Sequence, residues 1–190
     1  MRRLLLLATL LMPGFAVAEV LNYDYVYLSR NGTEADGTGT AGGFKSFGDH
    51  THLFLSVDDT AFYAGRHEDW DYDLRTVRIG AGGHYLLGKR TMVAPSLSVF
   101  RSRGEVRAPS WVAAREMSGT GTIAQVELRH AVTDWLELVA AARRTQFAGD
   151  RWNERVGGVL LHANRHWAVG ALYHDREGER TTEFTVRYYY

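Results

Sequence analysis

The chain has 190 residues, with 22 basic side chains balanced by 22 acidic ones, which argues against an electrostatic nucleic-acid partner. It contains no cysteine, so disulfides and thiolate metal sites are excluded. Mean hydropathy is −0.26 and no soluble-core pattern stands out, as expected when apolar residues are spread one in two over many strands.

Met1-Arg2-Arg3 is a basic start, residues 4–12 form a short apolar run, and Ala16-Val17-Ala18 is a small-x-small cleavage site. The run is too short to span a bilayer. It predicts a cleaved export signal over residues 1–18 and one mature domain over residues 19–190.

Residues 20–30 alternate Leu21, Tyr23, Tyr25 and Tyr27 with Asn22 and Asp24, the first expected strand. A polar, Gly-rich loop follows over residues 31–39. The second strand covers residues 40–47, with Gly42 and Phe44 assigned outward and Lys45 inward. A turn at Gly48-Asp49-His50 leads to Leu53, Leu55 and Val57, and the acidic stretch 67–71 makes a long connection. The fourth strand sets Val77, Ile79 and Tyr85 against Arg78 and His84. The fifth carries Val93, Leu97 and Val99 against Ser96 and Ser98. Pro95 has no N–H to give a ladder, which predicts a bulge opposite the Gly-rich fourth strand. Residues 103–118 read as the longest loop.

Ala124, Val126 and Leu128 then oppose Gln125, Glu127 and Arg129, and after a turn at 132–134 Leu136, Leu138 and Ala140 oppose Glu137 and Arg143. Residues 148–150 form a loop. Val156, Gly158 and Leu160 oppose Arg155; Trp167, Val169, Ala171 and Tyr173 follow. The last strand alternates Phe184, Val186, Tyr188 and Tyr190 with Glu183, Thr185 and Arg187. The count is ten strands, with eight as the alternative if a weak pair merges into loops. Short turns fall on the side of both termini and mostly longer loops on the other.

The terminal run Phe184, Val186, Tyr188, Tyr190 resembles the closing strand of Gram-negative outer-membrane β-barrels, whose final aromatic the assembly machinery reads. Over the whole mature chain the pattern resembles the small OmpA/OmpX-like and porin-like barrels. The resemblance implies an all-β fold, a single antiparallel transmembrane β-barrel in the outer membrane of a Gram-negative bacterium. Membrane lipid, lipopolysaccharide and the barrel assembly machinery are the implied partners, and the expected state is a monomer without cofactor or nucleic acid. Aromatic girdles fit this reading. Tyr85, Trp135, Trp167 and Tyr190 are expected at the inner rim. Tyr27, Trp70, Tyr72, Trp111, Trp152 and Tyr173 are expected at the outer rim.

The lumen is expected to collect Asp24, Lys45, Arg78, His84, Glu127, Arg129, Glu137, Arg143, Arg155, Glu183 and Arg187. Mixed signs read first as a salt-bridged plug, and second as a narrow path with excess arginine favouring anions. Ser96, His84 and Glu127 are the best set for acyl transfer, but nothing supplies an oxyanion hole, so no catalytic site is assigned. Asp69, Asp71 and Asp73 have the alternate spacing of a calcium loop's first ligands. The glycine and closing glutamate of such a loop are absent, so they make only a weak metal candidate. The expected function is non-enzymatic: a structural barrel, or a narrow low-conductance passage. Outer-loop contacts (adhesion, cations, lipopolysaccharide) are the alternative.

Overall fold

A run such as Val93, Leu97 and Val99 against Ser96, Ser98 and Phe100 separates two faces at a period of two, which only extended backbone does. The computed structural model describes residues 21–32, 37–63, 71–107 and 115–190, with side chains at 61–63, 71–73, 105–107 and 115–117 outside that description. The expected export signal lies outside the described residues, as do Asp69, Trp70 and Trp111 and the side chains of Asp71, Tyr72 and Asp73.

The strands are β1 (Tyr25–Gly32), β2 (Gly37–Phe47), β3 (Thr51–Tyr63), β4 (Asp71–Gly83), β5 (Tyr85–Leu86), β6 (Thr91–Arg107), β7 (Arg115–Ala131), β8 (Leu136–Phe147), β9 (Asp150–His162), β10 (Trp167–Arg176) and β11 (Glu179–Tyr189). Each pairs antiparallel with its neighbours in one sheet. β1 pairs with β11 from Tyr25↔Tyr189 to Asn31↔Glu183, and β4 pairs with β6, so the sheet closes and no edge is left open. The two-residue β5 continues β4 beyond His84, so the wall is the ten-strand antiparallel barrel the alternation predicts.

Three expectations are corrected. Residues 103–107 and 115–118 are strand, because β6 and β7 run for 17 residues each, beyond the ~9–11 that a tilted strand needs to cross a bilayer. Two of the outer connections, expected at 148–150 and after Tyr173, are shorter than a loop. Ala148-Gly149 (φ 52° and 98°) and Glu177-Gly178 (φ 53° and 96°) are two-residue primed turns, whose twist matches a hairpin. Finally, Pro95 makes a gap and not a bulge. The β4–β6 ladder stops at Gly82↔Ser96 and resumes at Tyr85↔Val93 in the same register, so no residue is inserted.

The convex face carries Leu28, Leu55, Ile79, Leu97, Val99, Leu138, Val169 and Phe184, all more than two-fifths exposed, as a belt around the barrel. Such a surface is stable only against hydrocarbon. No described helix is long and apolar enough to cross a membrane; this barrel crosses with strands.

Adjacent glycines on β9 test which face is which. A Cβ on Gly158 would strike the Ala171 carbonyl oxygen and lie 2.7 Å from Leu172 Cδ2, whereas one on Gly157 meets nothing within 4 Å. Gly158→Ala is expected to lower folding stability by about 1–3 kcal/mol, as overpacking does. Gly157→Ala should leave it unchanged or raise it by a few tenths, about 0.4–1 kcal/mol at most. Urea midpoints of the refolded barrel distinguish the two, and equal effects would contradict the assigned faces.

Candidate functional site

The lumen brings together eight of the expected charged residues. Arg78, Glu127, Arg129, Glu137, Arg143, Glu183 and Arg187 point inward from their strands, and His84 stacks on Tyr23 at 5.3 Å inside the terminus-bearing mouth. Three lie elsewhere. Asp24 and Lys45 pair at 2.6 Å on the convex side, with Lys45 half exposed and over the Tyr190 ring. Arg155 is exposed on the convex face. The physical reason is register: Tyr25 lies opposite Phe44, and both point inward. That places Asp24, Lys45 and Gly43 on the other face. On β9 the inward residues are Glu154, Val156 and Leu160, which leaves Arg155 outside.

The girdle is corrected by the same logic. Tyr85, Trp135, Trp167, Tyr173 and Tyr190 are exposed on the convex face. Tyr27 instead lines the lumen, and Trp152 shares the inward face with Glu154 near the outer mouth, where Arg176 lies over its ring. Phe184, Val186 and Tyr190 are exposed outward, and Tyr188, on the same face, packs beside Trp167 at 4.9 Å.

The mouth nearest the termini is filled. Leu21 and Tyr23, just before β1, turn into the barrel and pack on Met92, Ala94, Ala131 and Phe44. Above them lies a bridge across the lumen. Arg129 Nε and Nη2 donate to the two carboxylate oxygens of Glu137, the latter at 3.0 Å. Its Nη1 donates to the Asn22 carbonyl at 3.0 Å, and Nη2 also reaches Tyr189 Oη at 3.2 Å. His162 Nε2 lies 2.9 Å from Glu137 Oε2. Both Arg129 and Glu137 side chains are 0 % exposed, so this layer is dry and spans strands from opposite walls.

Beyond that layer solvent returns. Arg143, Glu154 and Glu183 side chains are 22 %, 17 % and 18 % exposed. Arg143 and Glu183 border a cavity of about 170 Å³ also lined by Tyr27, Asp58, Arg78, Glu127 and Arg187. Arg143 donates to Gln125 at 2.8 Å and Arg78 packs over the Phe54 ring. His174 Nδ1 lies 2.6 Å from Glu154 and its Nε2 3.0 Å from Glu183. Four arginines (78, 129, 143 and 187) therefore face five carboxylates (Asp58, Glu127, Glu137, Glu154, Glu183). The expected arginine excess is not found, because Lys45, Arg155 and Asp24 left the lumen while Asp58 and Glu154 joined it.

Ser96, His84 and Glu127 share the lumen face, but no hydrogen bond joins any two of them, and Glu127 takes its side-chain hydrogen bond from Gln125. Among the described residues no group of three potential ligands gathers as a metal site. At the rim, partial burial works against the charged form of Asp24. The Lys45 ammonium and the Ser46 N–H outweigh it and hold the carboxyl below its ordinary range. Asp58, Glu154, His162 and His174 were missed by the sequence reading, although the period of two from Ser56, Val156 and Leu172 marks their face.

The sequence matches no protein-family model and no curated protein. Among solved structures it is similar to the KdgM porin at 7 % identity, over 87 % of this chain and 99 % of that one, with a TM-score of 0.55. The translocator domain of the autotransporter NalP from Neisseria meningitidis is similar at 12 % identity, over 100 % of this chain and 94 % of that one, with a TM-score of 0.53. At these identities the likeness is one of fold, that of the outer-membrane β-barrels.

Proposed function

We propose that this chain is a non-enzymatic β-barrel of the outer membrane of a Gram-negative bacterium, with a resting lumen closed on the side of its termini. It serves as a structural element of that membrane and not as an open pore. The Arg129–Glu137 bridge carries the reading, since a charge pair at 0 % exposure, tied to the Asn22 carbonyl and Tyr189 on the facing side, supports a lumen obstructed at that level. The absence of hydrogen bonding among Ser96, His84 and Glu127 supports the non-enzymatic part. Phe184, Val186, Tyr188 and Tyr190 are the residues offered to the assembly machinery. A closed ring has no edge that demands a partner, which supports a monomer.

The test is single-channel recording of the refolded barrel in a planar lipid bilayer. The expected result is a correctly folded, heat-modifiable protein without conductance steps. Reproducible steps whose selectivity shifts in Arg78→Gln would overturn the closed lumen.

A further inference from the structure

The apolar belt ends differently at its two edges. Toward the termini it ends in exposed rings, Tyr85, Trp135, Trp167 and Tyr190. At the other edge, on five strands, the next outward position is an exposed arginine. Arg30 follows Leu28 on β1, Arg75 follows Val77 on β4, and Arg101 follows Val99 on β6. Arg144 follows Ala142 on β8, and Arg155 stands two positions from Gly157 on β9.

Arg75 is tied to Asp59 at 2.8 Å. The other four have no carboxylate partner among the described residues; Asp175, across from Arg155, sits 3.9 Å from Arg180 instead. Arg144 and Arg155 are diagonal neighbours on one face, because Arg144 is paired with Asn153 and Arg155 with Ala142. Adjacent strands are ~4.8 Å apart, so two guanidinium groups on neighbouring strands reach one tetrahedral anion. Like charges gathered at one height are unfavourable unless an anion neutralises them. A planar guanidinium at the hydrocarbon edge is suited to bidentate phosphate binding.

We propose that this collar binds the phosphate groups of a phosphorylated glycolipid, the lipid A part of lipopolysaccharide, in the leaflet on the loop side. The proposal rests on the outer-membrane reading above. Lipid A places phosphates at the top of the acyl layer, level with residues that end an apolar belt. Among the described residues the aromatic edge opposite, which faces the ordinary phospholipid leaflet, has Arg90 and Arg165 in its turns, each with a partner in the protein: Arg90 donates to the Val132 carbonyl and Arg165 to His166.

The experiment refolds the full chain and a triple variant, Arg101→Gln with Arg144→Gln and Arg155→Gln, into phosphatidylcholine vesicles. Vesicles doped with lipopolysaccharide, with its dephosphorylated form, or with phosphatidylglycerol are run in parallel. The readout is the temperature at which the folded, fast-migrating band is lost, titrated against the added lipid. Lipopolysaccharide is expected to raise this midpoint for the natural chain, and the dephosphorylated form and phosphatidylglycerol are not. The triple variant should need roughly 100-fold more lipopolysaccharide, from the loss of three surface phosphate contacts. Arg144→Gln alone, expected to need roughly 5-fold more, serves if the triple variant does not fold.

An equal rise with phosphatidylglycerol, or a variant that responds as the natural chain does, would overturn the assignment. Failure to fold in phosphatidylcholine alone would count instead against the membrane-barrel reading, so the two failures are distinct.

Discussion

Glu137→Ala is expected to lower the folding free energy of the barrel by about 3–5 kcal/mol, because it leaves the Arg129 guanidinium buried without its counter-charge. Coulomb attraction alone does not explain the size. Arg129 was desolvated to reach a position where Glu137 takes two of its N–H groups, and His162 shares the same carboxylate. Removing the acid returns none of that desolvation cost. Glu137→Gln keeps the shape and some hydrogen bonding, so it should lose less. Replacing both partners, Arg129→Met with Glu137→Leu, should recover most of the loss, as apolar replacement of a buried pair often does. The measurement is a urea titration of the refolded protein, followed by the mobility shift between folded and unfolded bands. If Glu137→Ala costs under about 1 kcal/mol, the pair is not dry and the closed-lumen reading loses its main support.

The second large effect is on the other face. Ile79→Arg should cost about 2–4 kcal/mol in a bilayer, the range for a cation near the hydrocarbon midplane of a barrel. Ile79 is 58 % exposed and stands in register between Leu55 and Val99, so the charge would have apolar neighbours on both adjacent strands. One residue away, Arg78 points into the lumen and packs over Phe54 at no such cost. Unfolding titrations in vesicles measure the penalty, with Ile79→Leu as the control. A loss no greater than that of the leucine variant would mean that this face does not meet lipid.

The two predictions separate what was legible in the chain from what was not. Ten strands, their order and the antiparallel hairpins followed from period-two alternation and turn residues, since both act between near neighbours. On β6, β7, β8 and β11 the inward face was also readable. One side there carries Ser96, Gln125, Glu127, Arg129, Glu137 or Arg187, and the other mostly Val, Leu, Ala or Phe. On β1, β2 and β9 the same reasoning inverted or misplaced residues, because polarity does not mark one face there: Lys45 and Arg155 point out while Phe44 and Val156 point in. Tyr25, Tyr27 and Phe44 fill the lumen, while Val26 and Leu28 meet lipid. Hydrophobicity does not tell a packed interior from a hydrocarbon exterior.

The sequence by itself determined that the chain is a barrel of alternating strands with a polar element inside it. It also located Arg129 and Glu137 on one face of neighbouring strands, flanking a short turn. Only the tertiary structure decided what those charges do. Asn22 and Tyr189 reach Arg129 from across the lumen, at sequence separations of 107 and 60 residues, and that contact exists only once β1 has closed against β11. Ring closure also chose the concave face of every strand. It sent Lys45 and Arg155 outward and drew Asp58 and Glu154 in, because a strand's curvature comes from its neighbours and not from its own residues.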